Sequence, residues 1–174
     1  MGRHDNPNLL DWVIIDEEIH SFANAEAREA GVFLYGRRLY ENMAAFWPTA
    51  DTVPDMPDYV VEFAHIWKPK PKVVFSTTLD KVEWNSRLVK DDVAEEVAKL
   101  KQEPGGHLSV GGANLAASLV ELGLVDEYRL LIHPVVIGRG TRFFPPVSER
   151  IKMRLLETRK FGSGVVYLRY EAKR

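Results

Sequence analysis

The 174-residue chain contains no cysteine. That excludes disulfides, thiolate metal sites and a cysteine nucleophile, and it makes a reducing, cytoplasmic setting the expectation. Long apolar runs are missing as well. The longest, Leu130 to Gly138, is interrupted by His133 and Pro134, whereas a membrane-spanning helix needs about 20 mostly apolar residues. The opening residues Met1 to Asn8 are polar and lack the apolar centre of a secretory signal. Charge of one sign is scarce: 23 Lys and Arg face 25 Asp and Glu, for a net charge of -2. A chain so balanced is not expected to bind nucleic acid, because that affinity depends on a positive surface meeting phosphates. There is no internal repeat, no low-complexity tract, no G-x-G-x-x-G and no P-loop. His4, His20, His65, His107 and His133 make no pair at ligand spacing, so no metal is assigned.

What is present is a globular composition. Apolar residues make up 45% and charged residues 28%, too apolar for disorder. The length suits one domain over residues 1–174, large enough to bury roughly two-thirds of its extended surface.

Hydrophobic periodicity then orders the chain. From Asp16, the positions Ile19, Phe22, Ala23, Ala27 and Ala30 recur at helical spacing. Asp16, Glu17 and Glu18 fall in the first turn, where the helix dipole favours negative charge, and Gly31 ends the helix. Val32 to Tyr35 reads as a buried strand broken by Gly36. Arg37 to Phe46 reads as a helix stopping before Pro48, and Thr49 to Pro57 as a loop. Tyr59 to Trp67 is predicted as a helix, Val73 to Phe75 as a second buried strand, and Ser86 to Val89 as a weaker one. Lys68, Lys70 and Lys72 alternate with prolines and read as a solvated, extended link. Asp92 has the spacing of an N-cap to a helix carrying Val93, Val97 and Leu100. Leu108 to Val110 is a third strand, Ala113 to Leu122 a small-residue helix, and Val125 to Ile137 one long strand. His133 reads as a satisfied core or interface residue. Ile151 to Phe161 and Val165 to Glu171 flank Gly162-Ser163-Gly164 as a hairpin. Alternating strands and helices predict an α/β fold: a mostly parallel sheet covered on both faces, with antiparallel C-terminal strands.

Three strand ends share one design. Tyr35 leads into Gly36-Arg37-Arg38, Phe75 into Ser76-Thr77-Thr78, and Val110 into Gly111-Gly112-Ala113-Asn114. In an open parallel sheet such ends point the same way, and ligands bind in the crevice beyond them. Helix N-termini there offer free N–H groups and partial positive charge. Glycine lets a phosphate approach the backbone, and arginine and hydroxyl groups complete an anion site. The alternative is a set of ordinary glycine-punctuated turns. Gly106 to Gly111 imitates a nucleophile elbow, but His107 stands where glycine is needed. Ser109 therefore reads as a strand residue, and a serine hydrolase is the weakest reading.

In this order, Gly36-Arg37-Arg38-Leu39-Tyr40-Glu41, Val74-Phe75-Ser76-Thr77-Thr78-Leu79 and Val110-Gly111-Gly112-Ala113-Asn114-Leu115 resemble the dihydrofolate reductase superfamily. The closer likeness is to its RibD C-terminal-domain-like branch, strengthened by Leu124 to Tyr128 and His133 to Gly140. The resemblance implies a three-layer α/β/α fold and an NADPH-dependent reductase of a small heterocycle, either a pterin or a pyrimidine-like compound of riboflavin biosynthesis. A degenerate nucleotide-binding or interaction module on the same fold is the alternative. It also implies that Gly36, Arg37, Arg38 and Leu39 meet cofactor phosphate, with Ser76, Thr77 and Thr78 near the adenosine end. The pair Gly111-Gly112, often cis-linked in the family, would approach the pyrophosphate together with Ala113, Asn114 and Leu115. An acid on the first helix contacts the pterin in dihydrofolate reductases, which makes Asp16 and Glu17 the candidate catalytic residues, with Asp11 a further candidate. The family's usual first strand reads as missing or truncated before Asp11. The long strand and terminal hairpin, with family habit, lead to the expectation of a homodimer.

Overall fold

The computed structural model describes residues 12–138 and 140–173. The expected absence of a first strand, the candidate Asp11 and the turn residue Arg139 lie outside them. In chain order the elements are α1 (Glu17–Glu29), β1 (Ala30–Gly36), α2 (Arg37–Phe46), a 3-10 turn (Ala50–Thr52), α3 (Asp58–Trp67), β2 (Lys72–Phe75), β3 (Ser86–Val89), α4 (Val93–Leu100), β4 (His107–Gly111), α5 (Ala113–Glu121), β5 (Glu127–Ile132), β6 (Lys152–Lys160) and β7 (Val166–Lys173). No helix among the described residues is long and apolar enough to cross a membrane.

The chain forms two compact units. One takes His20–Val125 with Thr141–Arg150; of the described residues, the other takes 12–19, 126–138, 140 and 151–173.

The larger unit is built on a four-stranded, all-parallel sheet in the order β3-β2-β1-β4. β2 is buried throughout and β1 over most of its second half, as the inner strands of a helix-covered parallel sheet require. Side chains alternate between two clusters. Leu34, Val73 and Phe75 pack with Val97 and Leu100 of α4 and with Leu115 and Leu119 of α5. Phe33, Tyr35 and Val74 pack on the other face with Tyr40 of α2 and Trp67 of α3. Helix, sheet and helix thus form three layers. Asp92 caps α4 as its spacing predicts, its side chain accepting the Glu95 N–H at 3.0 Å.

The lysines before β2 are not a solvated link. Lys68 grips Asp51 through both carboxylate oxygens at 2.7 Å. Lys70 donates to the carbonyls of Arg28 and Ala30. Lys72 is 2% exposed. Its Nζ donates to the carbonyls of Trp67 (2.6 Å), Lys70 (2.8 Å) and Trp84 (2.8 Å) and lies 4.0 Å from the centre of the Trp67 ring. It closes the open C-terminus of α3, whose last carbonyls have no intrahelical donor. It also holds the turn in which Trp84 (φ 61) and Asn85 (φ 52) adopt left-handed backbone.

The smaller unit carries a three-stranded antiparallel sheet, β5-β7-β6. The expected hairpin is β6–β7. The expected long strand is not one: β5 stops at Ile132, because Pro134 has no N–H for a ladder and restricts the residue before it. His133 is exposed. Its Nδ1 accepts the Ile14 N–H at 3.2 Å, and its ring meets Trp12 edge-on.

Candidate functional site

The strand ends at the C-terminal edge of the parallel sheet are level with one another. Gly36 lies opposite Phe75, and Tyr35 opposite Gly111. The three turns singled out in the sequence therefore leave the sheet side by side, and their side chains meet. Arg37, exposed at the start of α2, bonds Glu41 at 2.9 Å and donates to Thr78 Oγ1 at 2.8 Å, tying the first turn to the second. Leu39 runs under the third: a Cβ on Gly111 would stand 2.6 Å from Leu39 Cδ2. Gly36 faces Leu115 of α5, with 3.8 Å between Leu115 Cβ and the place a Gly36 Cβ would take.

Each turn has its own local logic. Ser76 Oγ accepts the N–H groups of Thr78 (3.2 Å) and Leu79 (3.1 Å), folding the second turn on itself. The same Oγ also lies 3.4 Å from Thr78 Oγ1, and Thr77 beside it is exposed. Gly112 is the N-cap of α5 with φ +92, backbone that a side chain resists. The glycine pair is not cis; no cis peptide occurs among the described residues, and the positive φ of Gly112 makes the turn instead. Leu115 is buried and Leu39 half-buried, so their side chains pack and only their backbone faces outward. Arg38 is exposed and takes no partner among the described residues.

The two helices that open on this edge differ from the others. α1, α3 and α4 carry acids in the first turn: Glu17 and Glu18, Asp58, and Glu95 and Glu96. α2 and α5 carry none, and neither has a side-chain cap. Their first N–H groups stay open and their dipoles uncompensated, two conditions that favour an anion. Gly112, Ala113 and Asn114 are exposed there.

Asp16 and Glu17 belong to the smaller unit. Asp16 Oδ1 accepts the Ile19 N–H at 2.8 Å, which makes it the N-cap of α1. Glu17 is exposed.

One group escaped the sequence reading. Asn24 is fully buried. Its Nδ2 donates to the Tyr59 carbonyl at 2.8 Å and to Glu62, and its Oδ1 lies 3.1 Å from His20 Nδ1. Glu62 also pairs with Arg28, and hydrogen bonds from Asn24 and Arg28 hold its carboxyl below the usual range. The signal was legible: His20, Asn24 and Arg28 are polar at successive four-residue steps on one stripe of α1.

Comparison with known proteins places this geometry. The family model of the RibD C-terminal domain matches residues 2–167. The Bacillus subtilis (strain 168) protein YyaP is 37% identical over 164 residues, covering 92% of this chain and 83% of YyaP. Among solved structures, a putative riboflavin biosynthesis protein from Shewanella sp. PV-4 superposes with a TM-score of 0.72 at 19% identity, over 95% of this chain and 88% of that one. Dihydrofolate reductase from Enterococcus faecalis, solved with NADP(H), superposes with a TM-score of 0.59 at 15% identity, over 90% and 82%. The fold is dihydrofolate reductase-like.

Proposed function

From its place in the RibD C-terminal domain family, to which this chain belongs, we propose that the protein is an NADPH-dependent reductase of a small, flat heterocycle. A pterin, or a pyrimidine-like compound of the riboflavin pathway, is the substrate class in view. The observation that carries the reading is the pair of uncapped, acid-free helix N-termini, α2 and α5, set at one edge of a parallel sheet. Such ends accept a diphosphate, whose charge offsets the missing first-turn acids.

The residues fit that ligand. Gly36 and the exposed Gly112, Ala113 and Asn114 present backbone to the pyrophosphate. Leu39 and Leu115 set the spacing of the two helices beneath. Arg37, Arg38, Ser76, Thr77 and Thr78 take the adenosine end and its 2′-phosphate, a dianion suited to a guanidinium fork. A bound nicotinamide supplies hydride chemistry, and the protein contributes position and exclusion of water. Asp16 is committed to capping α1, which leaves Glu17 the freer of the two first-turn acids. A second copy of the chain is the proposed partner, through the apolar residues Ile132, Val136 and Leu155 that the smaller unit leaves exposed.

The test is titration of the protein with NADPH and NADH, read by nicotinamide fluorescence and thermal shift. Tighter binding of NADPH is expected. Failure of both to bind would refute the cofactor assignment. Binding without oxidation across pterins and pyrimidine-like acceptors would make the protein a nucleotide-binding module instead.

A further inference from the structure

The buried Asn24 determines how His20 is protonated. Both Nδ2 hydrogens are spent on groups that cannot donate, the Tyr59 carbonyl and the ionised Glu62. Asn24 Oδ1 must then accept, so the proton of a neutral His20 sits on Nδ1. The ring is walled by Tyr59 (centres 4.9 Å apart), Phe63 (6.1 Å) and Trp47 (6.3 Å). Nε2 is left without a hydrogen-bond partner among the described residues. A histidine oriented this firmly, through a fully buried amide, an ionised carboxylate and Arg28, exceeds what packing alone needs.

Position supports a role. α1 runs directly into β1, and Ala27 packs against the cluster that holds Ala30, Phe33 and Tyr35. At about 1.5 Å per helical residue, the stretch from His20 to Glu29 reaches back about 14 Å. At about 3.3 Å per residue, β1 extends about 20 Å from Ala30 to Gly36. The helix is thus long enough to bring His20 level with the last residues of β1, the edge that carries the three turns.

We propose that His20, set as the Nδ1–H tautomer by the Asn24–Glu62–Arg28 relay, delivers from Nε2 the proton that accompanies hydride addition to the substrate. This rests on the reductase reading above. The substrate's C=N or C=O bond gains hydride at carbon and a proton at nitrogen or oxygen. The imidazolium becomes imidazole, and the nicotinamide is oxidised by the two electrons the substrate gains. Asn24 and Glu62 act through His20 as positioning residues.

Two measurements test this. Long-range 1H–15N NMR of the full chain at pH 8 reads the tautomer of neutral His20; Nδ1–H is expected, and Asn24→Leu should shift it toward Nε2–H. A wild-type spectrum of the Nε2–H form overturns the proposal with no variant needed. Next, 6,7-dimethylpterin is titrated into NADPH-loaded protein. It should move the His20 Nε2 resonance, and His20→Gln should weaken its binding about tenfold with NADPH affinity unchanged. An unmoved resonance, or equal pterin affinity in the variant, overturns the proposal. NADPH failing to bind would instead sink the reductase reading, while the tautomer result stands on its own.

Discussion

Lys72 offers a sharp energetic test of the larger unit. Replacing it with methionine keeps an unbranched apolar stem and removes the ammonium that three carbonyls share and that lies over the Trp67 ring. Two effects oppose each other. Burial penalises the charge and lowers the lysine pKa from 10.5 to about 8. That displacement corresponds to about 3 kcal/mol of burial cost below pH 8. Against it stands what methionine leaves behind, three carbonyls without a donor at about 1–3 kcal/mol each. The stranded carbonyls outweigh the relieved burial cost, so Lys72→Met should destabilise the fold at pH 7 by about 2–5 kcal/mol. The pH dependence has a fixed sign. Between about pH 8 and 10.5 the folded lysine gives up its proton while the unfolded one keeps it, so the unfolded state binds more protons and stability rises with pH. The methionine variant lacks this rise, and the gap between the two proteins should widen across that window by up to about 3 kcal/mol. Urea unfolding of both proteins at pH 7, 8, 9 and 10 reads it directly. A variant as stable as wild type at pH 7 would refute the caging argument. A gap that stays flat or narrows toward pH 10 would refute the lowered pKa.

Further expectations concern the sheet edge and α1. Gly112→Ala puts a Cβ on backbone with φ +92 and should cost about 1–2 kcal/mol, with NADPH affinity falling further than that of Arg38→Ala; thermal shift with and without NADPH separates the two effects. Arg38→Ala should leave the melting temperature alone and weaken NADPH about tenfold while sparing NADH, a ratio read by fluorescence titration. Asp16→Ala removes the cap on Ile19 and should cost about 1 kcal/mol in urea unfolding, with NADPH binding unchanged. Light scattering at micromolar concentration should give twice the chain mass, and Val136→Glu at the 95%-exposed Val136 should halve it.

Much of the architecture could be read from local punctuation. Gly36 and Pro48 bracket α2, whose observed limits, Arg37–Phe46, are those its periodicity predicts. The same holds for β3 at Ser86–Val89. Apolar continuity failed where one residue overrode it: Pro134 ends the ladder that Val125 to Ile137 suggests. The side-by-side placement of the three turns followed from parallel topology, which needs only strand and helix order. Buried polar groups were less legible. Lys72 alternates with prolines in a segment that looks solvated, and its three acceptors come from residues 67, 70 and 84, partners no periodicity reveals. Asn24 lay on a visible polar stripe, yet its burial depends on α3, whose Glu62 is 38 positions away.

On the proposed reading, the edge formed by α2 and α5 meets charge chiefly with peptide groups. Main-chain dipoles do not titrate and cannot be deleted by exchanging a side chain. A pocket written in this way tolerates wholesale residue turnover so long as two short helices keep their aim. Chains sharing only 15–19% of their residues with this one keep the same fold.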